Sequence, residues 1–212
     1  MTDNFDHYKK LITINGGLPK TNKKGNLDLF YVIELIRRGK DNPDMPAANY
    51  HFKSYHIFSW ADYEKYEQEI KDICTLLHCR AYASVNYKLM SQIALDTIAE
   101  ETRRIAAHDY KRFNHIFESC CGKFVDKGNN LWIVDFDNMK AKDISEELVN
   151  LIDKAWSEYE SNLLYIMPTK SGFHFITHPF NRMYFEAEYK RRIGGEMPDI
   201  KQNHVTLLYE NL

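Results

Sequence analysis

The chain has 212 residues, 28 Lys and Arg against 30 Asp and Glu for a formal charge of −2, and 44% hydrophobic residues. That length and apolar share suit one large or two small domains with a real core, and the near-neutral charge excludes a global basic field, so any nucleic-acid contact must rest on local patches. No apolar run exceeds strand length and the N-terminus is polar and includes acids, so no membrane span and no secretory or mitochondrial address is expected, and the cytoplasm is the expected compartment.

The elements are expected in this order. Pro19–Asn26 reads as a loop with a basic tip. Residues 27–38 carry a helical apolar pattern, which Gly39 would stop, and Lys40–Pro46 is a loop. Residues 50–59 alternate aromatic with polar and predict a strand. An amphipathic helix follows over 61–77, with Ser59 or Asp62 near its start. Residues 79–86 predict a strand, and 88–118 a helix with a break near His108. The four cysteines, Cys74, Cys79, Cys120 and Cys121, form no CxxC pair. Cys74, His78 and Cys79 could start a metal site, but buried free thiols are the expected state.

The second half changes rhythm after a cluster of Gly and Asn near 119–130. A strand is predicted at 131–136, a helix at 143–158 starting near Asp143 or Ser145, strands at 162–167 and 173–177, a helix over about 181–191, and a last strand at 204–209. That order is β-α-β-β-α-β, a split βαβ or ferredoxin-like arrangement. The fold class is therefore α/β (α+β): a helix-rich N-terminal α/β lobe, 1–120, packed on an RRM-like C-terminal lobe, 121–212, in one compact unit.

Two runs carry the chemistry. Leu131–Asp137 is an apolar strand ending in Asp-x-Asp. Asp135 and Asp137 leave one face of a strand, and two carboxylates on one face suit a hard divalent cation such as Mg²⁺ or Mn²⁺. The alternative is a turn cap at Asp137 with Asp135 paired to a surface base. Pro168–His174 holds Lys170, Ser171 and Gly172 ahead of His174. Glycine allows close backbone approach, Ser171 and free amides can meet phosphate oxygens, and Lys170 adds a point charge. The alternative there is a plain hairpin turn with a half-buried histidine. A two-metal arrangement wants a third acid, and Asp199, just before the last strand, is the candidate, unless it merely serves the turn after Pro198. Arg80, placed on a strand, is the best single cation for a nucleotide or template. Arg37, Arg38, Lys40, Arg103, Arg104, Lys111, Arg112 and Lys190–Arg192 are further cations.

Taken in order, Val134-Asp135-Phe136-Asp137, then Ser171-Gly172-Phe173-His174, then Pro198-Asp199-Ile200 resembles the three-motif signature of the archaeo-eukaryotic primase superfamily. The likeness covers 131–200 well and the first half in outline. It implies that Asp135, Asp137 and Asp199 bind catalytic metal and that Ser171 and His174, with Lys170, grip a nucleoside triphosphate. It implies a metal-dependent nucleotidyltransferase of primase-polymerase type, acting on nucleic acid in replication, in a phage or mobile element, with a helicase or other replication protein as partner. The chain shows no zinc-binding insertion, and its third motif is weak. A catalytically reduced binding module is thus the first alternative. As a binding sheet it would display Phe136, Phe173 and Phe175, although the expected aromatic and Gly-rich recognition motif is missing. A second alternative is a two-histidine phosphodiesterase. His204-Val-Thr206 fits one of its motifs. His174-Phe-Ile-Thr177 misses the other by one residue, and both lie in adjacent late strands.

Overall fold

The computed structural model describes residues 1–21, 28–42, 49–126, 128, 130–155 and 158–211. The expected loops at 19–26 and 40–46 fall partly outside them, from Asn22 and from Pro43 onward. Among the described residues the chain forms two antiparallel sheets carrying helices, a mixed α/β architecture. No described helix is long and apolar enough to cross a membrane.

The first sheet is built from β1 (Thr2–Asp3), β2 (Leu29–Arg37), β3 (Tyr50–Ile57), β4 (Arg80–Ser84), β5 (Lys88–Leu89) and β10 (Val205–Glu210). Its order is β1-β10-β4-β2-β3, with β5 on the Leu29 end of β2. The expected helix over 27–38 is instead strand β2 across Leu29–Arg37, with residue 27 outside the described residues. Its near-continuous apolar run reflects burial on both faces, which periodicity alone does not separate from a helix. Tyr31, Ile33 and Leu35 enter the main core, while Phe30 and Val32 pack under α3 (Met90–Ala106) and α4 (Ile116–Lys123).

The expected helix over 88–118 opens as β5 and divides into α3, a short 3₁₀ turn at Phe113–His115 and α4; His108 has a positive φ of 53° just past the end of α3. Helices α1 (Phe5–Ile14) and α2 (Trp60–Leu77) pack on the main core. Ser59 caps α2 by accepting the Asp62 N–H at 3.2 Å, and His78 ends it in a left-handed conformation.

The second sheet holds β6 (Trp132–Phe136), β7 (Leu163–Pro168), β8 (Phe173–Thr177) and β9 (Asp199–Gln202), in the order β7-β8-β6-β9. With α5 (Glu146–Asp153) after β6 and α6 (Arg182–Arg192) after β8, the chain order is β-α-β-β-α-β. Ser145 caps α5, which is shorter than the expected 143–158. The element closing this sheet is β9. The strand expected to do so, at 204–209, is β10, which lies between β1 and β4 in the first sheet. The turn at Asn203 sends the chain across, with Asn203 at a φ of 45°.

Alternation along β6 decides which face does what. Val134 and Phe136 are buried with Phe175, Phe185 and Tyr189 under α5 and α6. Ile133 points the other way, into a core that also holds Met167 and Ile176 of the second sheet and Ala81, Ala83 and Leu208 of the first. One apolar cluster therefore bridges the sheets. Beyond it, on the same face as Ile133, comes Asp135.

Candidate active site between the two sheets

Where the shared core ends, the sheets leave a cleft of about 740 Å³, within the range of small-ligand sites. Its wall from the second sheet carries Asp135, Asp137, Thr169, Lys170, Ser171, His174 and Lys201. The first sheet and its connections supply Ile36, Arg38, Lys40, Asp41, Arg80, Tyr82 and Leu207, and His204 stands at the crossover. The two runs singled out in the sequence thus meet in one cavity.

The register explains the meeting. Asp135 pairs with His174 on β8 and with Asp199 on β9, so all three leave the same face. Asp199 is the first residue of a strand, not part of a turn before one, and it is exposed. Asp137 lies just past β6 and is also exposed. Neither the Asp137 nor the Asp199 carboxylate has a hydrogen-bond or ion-pair partner among the described residues.

Asp135 is different. Its Oδ2 takes the Lys201 ammonium, and its Oδ1 faces His174 Nε2 at 3.3 Å. Burial alone would raise this carboxyl, but the hydrogen bonds and charges of His174 and Lys201 outweigh it and hold the group down at about 2. His174 Nδ1 in turn shares a hydrogen bond of 2.9 Å with the hydroxyl of Thr206, a fully buried residue of β10. A chain of three groups, Thr206–His174–Asp135, therefore ties one sheet to the other at the cleft. Both ring nitrogens of His174 are engaged, so it fixes Asp135 as well as lining the cavity.

The Lys170-Ser-Gly turn joins β7 to β8. Thr169 closes it: its N–H donates to the Gly172 carbonyl at 2.9 Å, and its Oγ1 accepts the Gly172 N–H at 3.1 Å. Lys170 and Ser171 sit exposed at the tip, on the cleft. Glycine at 172 serves an approach other than the expected one to a ligand. A Cβ there would stand 1.8 Å from the Phe136 carbonyl oxygen and 3.3 Å from Asp137 Cα. The close approach is to the end of β6, and it sets Lys170 and Ser171 beside Asp137.

Arg80 reaches the cleft wall, but its guanidinium is committed. Nη2 pairs with Asp41 at 2.8 Å and Nε lies 3.1 Å from Glu210, with all three side chains largely buried. It reads as a buried ionic cluster joining β4, β10 and the turn at Gly39–Asp41, not as a free phosphate ligand. Arg103 and Arg104 are spent on Glu100, and Arg191 and Arg192 on Glu188. The cavity cations without a carboxylate partner among the described residues are Arg38, Lys40 and Lys170; Arg38 donates to the Tyr82 hydroxyl at 3.3 Å. The cleft thus keeps uncommitted positive charge facing Asp135 and Asp137.

Lys201 is the participant that sequence reading missed. Alternation from Asp199 puts it on the cleft face, but only once a strand is drawn at 199–202. Cys74 and Cys79 are buried free thiols with sulfurs 3.9 Å apart, and no group of three or more metal-ligating side chains converges among the described residues.

The donor chemistry still fits a hard cation. Asp135 is ionised at every ordinary pH, Asp137 and Asp199 are uncommitted, and all are oxygen donors of the kind Mg²⁺ and Mn²⁺ take. Lys201 already fills a cation's place on Asp135, so a metal would have to displace it. Compared with protein-family models, curated proteins and solved structures, the chain gives no significant match.

Proposed function

We propose that the cleft is the site of a metal-dependent nucleotidyltransferase of primase-polymerase type, working on nucleic acid in the cytoplasm. One observation carries the reading. Asp135, Asp137, Lys170, Ser171 and His174 come from two separate motifs yet line a single cavity, with Asp199 directly across from Asp135.

The roles follow from placement. Asp135 and Asp137, with Asp199, would hold Mg²⁺ or Mn²⁺. A bound divalent cation supplies charge neutralisation at phosphate and a lower pKa for an attacking hydroxyl. Lys170 and the Ser171 hydroxyl at the turn tip are positioned for the phosphates of an incoming nucleoside triphosphate. Lys201, once displaced from Asp135, stays in the cavity wall as a further countercharge. His174, held by Thr206, keeps Asp135 oriented. Arg38 and Lys40 stand on the opposite wall, where a nucleic-acid backbone would enter. A second cavity of about 660 Å³ shares Ile36 and Asn49 with the first and carries Arg104, Arg112 and His115. It offers the strand a continuation, partly countered by Glu34 and Glu118.

The alternatives fare less well. Phe136 and Phe175 are buried under α5 and α6, so they form no open stacking platform. The phosphodiesterase reading gains one point: His204, at the crossover just before β10, shares the cavity with His174 of β8. However, Thr177 and Thr206 are both fully buried and absent from its wall, which leaves both motifs without their hydroxyl.

The test is nucleotide incorporation on a single-stranded template with Mn²⁺ or Mg²⁺. Extension by the wild type is expected, falling by at least about a hundredfold in Asp135→Ala/Asp137→Ala, as for loss of a principal transition-state contact. Extension unchanged in the double variant, or none by a folded wild type with either metal, would refute the reading.

A further inference from the structure

Two buried thiols stand outside the cleft chemistry and against each other. Helix α2 ends at His78, whose left-handed backbone turns the chain into β4. The Cys79 N–H closes that turn on the Cys74 carbonyl at 3.1 Å. Two apolar side chains commonly meet across such a helix end. Here the pair is Cys74 and Cys79, both fully buried and free, with sulfurs 3.9 Å apart. The sulfurs need to close by only about 2 Å to bond. Their acidities differ. Cys79 is held below the ordinary thiol range by the Cys74 thiol, whose S–H can donate to its thiolate, and by the charge of Arg37, against burial. The same hydrogen bond, with burial, pushes Cys74 up. Burial pushes Cys121 up to about 12 even with Lys88 nearby. A buried thiol without thiolate character is inert, whereas one with it is a redox nucleophile. The turn that carries the pair also leans on the cleft wall. Asn42 Nδ2 donates to the His78 carbonyl at 3.5 Å and to the Arg38 carbonyl at 3.0 Å, and Arg37 Nε donates to Asn42 Oδ1 at 3.1 Å. Arg80, the residue after Cys79, holds Asp41.

We propose that Cys74 and Cys79 are a reversible dithiol–disulfide couple, which clamps the turn between α2 and β4 and, through Asn42 and Arg80, restrains the cleft wall that bears Arg38 and Lys40. The oxidant is hydrogen peroxide, small enough to reach buried sulfur. The Cys79 thiolate attacks one peroxide oxygen, the O–O bond breaks, and the other oxygen leaves as hydroxide, which gives a sulfenic acid on Cys79. The Cys74 sulfur then attacks the Cys79 sulfur. The S–S bond forms, the S–O bond breaks, and the Cys74 proton leaves with the departing oxygen as water. Two thiols and one hydrogen peroxide thus become one disulfide and two waters, with two electrons passing from sulfur to oxygen. A small dithiol reverses the step by exchange and becomes a disulfide itself. The bond closes a short local loop, so it fastens the end of α2 rather than the fold as a whole. The couple is independent of the chemistry in the cleft.

The experiment treats the full chain with hydrogen peroxide, alkylates the remaining thiols after denaturation and weighs the tryptic peptides. Residues 72–80 form one peptide that holds Cys74 and Cys79, and residues 113–123 form another that holds Cys120 and Cys121. The 72–80 peptide is expected to lose two hydrogens and escape alkylation at least about tenfold faster than 113–123 is oxidised. Dithiothreitol should restore both of its alkylation sites. In Cys74→Ala a sulfenic acid should persist on Cys79 and be captured by dimedone, whereas in Cys79→Ala no adduct should form on Cys74. Circular dichroism checks the fold of each variant, and the wild-type peptides decide alone where a variant unfolds. Hydrogen exchange at the Cys79, Asp41 and Asn42 amides should slow at least about tenfold in the oxidised chain. Both cysteines still alkylated after peroxide, or bonded only between chains, would overturn the couple. A dimedone adduct on Cys74 in place of Cys79 would overturn the order of attack. Unchanged exchange at Asp41 and Asn42 would overturn the restraint on the cleft wall.

Discussion

Asp135 is charged in a place where burial opposes charge. Lys201 and His174 make that possible and leave its carboxyl at about 2. A depressed carboxyl stabilises the fold above the ordinary carboxylate range and loses that contribution as the pH falls toward its folded value. The depression is worth about 2 kcal/mol at neutral pH, taken from the size of the shift. Urea unfolding of wild type and Asp135→Asn should therefore differ most near neutral pH, with the difference shrinking as pH falls from about 4 to about 2. A difference that stays constant across that window would mean that Lys201 and His174 do not hold the charge. The same residue shows how far sequence reaches. Asp135 and His174 are legible because each ends or begins a recognisable apolar run. Lys201 is not, since nothing local separates a strand at 199–202 from the turn that Pro198 suggests. Arg80 looks free because a strand arginine counts as uncommitted until Asp41 and Glu210, distant in sequence, arrive beside it.

At the scale of elements, the turn between β7 and β8 is shaped by its neighbour. Gly172 lies against the Phe136 carbonyl, so its lack of a side chain lets the Lys170–Ser171 tip rest on the end of β6. Gly172→Ala must push a backbone carbonyl aside, because no flexible side chain stands there to yield. A loss of about 1–3 kcal/mol of stability is expected from such overpacking, together with weaker triphosphate binding as the tip moves away from Asp137. Thermal unfolding and nucleotide titration measure the two effects, and an alanine variant with wild-type values for both would show that the approach is not needed. The helices α2, α5 and α6 are legible from their caps and periodicity, and β6, β7 and β8 from short apolar runs. Strand β2 reads as a helix because a strand buried on both faces loses its alternation, and Leu29–Ile36 then imitates a helix stripe.

Across the whole molecule, the feature that the sequence hides is a crossing. After β9 the chain leaves the second sheet at Asn203 and ends as β10 in the middle of the first. Local pattern predicts a strand at 204–209 but cannot say which sheet receives it, since that choice is made by pairing with β1 and β4, both distant in sequence. The crossing has consequences for the site. It brings Thr206 to His174 and His204 to the cavity rim, and it places Glu210 beside Arg80. The cleft is thereby a joint product of both sheets, with Asp135 and Asp137 on the second sheet's wall and Arg38 and Lys40 on the first's. The most direct measurement is a crystal of the protein grown with Mn²⁺ and a non-hydrolysable nucleoside triphosphate, read by anomalous scattering. The expected result is a manganese peak on Asp135 and Asp137, Lys201 swung away from Asp135, and the triphosphate against Lys170 and Ser171. Manganese absent from these carboxylates, with Lys201 still on Asp135 and the nucleotide elsewhere or unbound, would contradict the assignment of the cleft to nucleotidyl transfer.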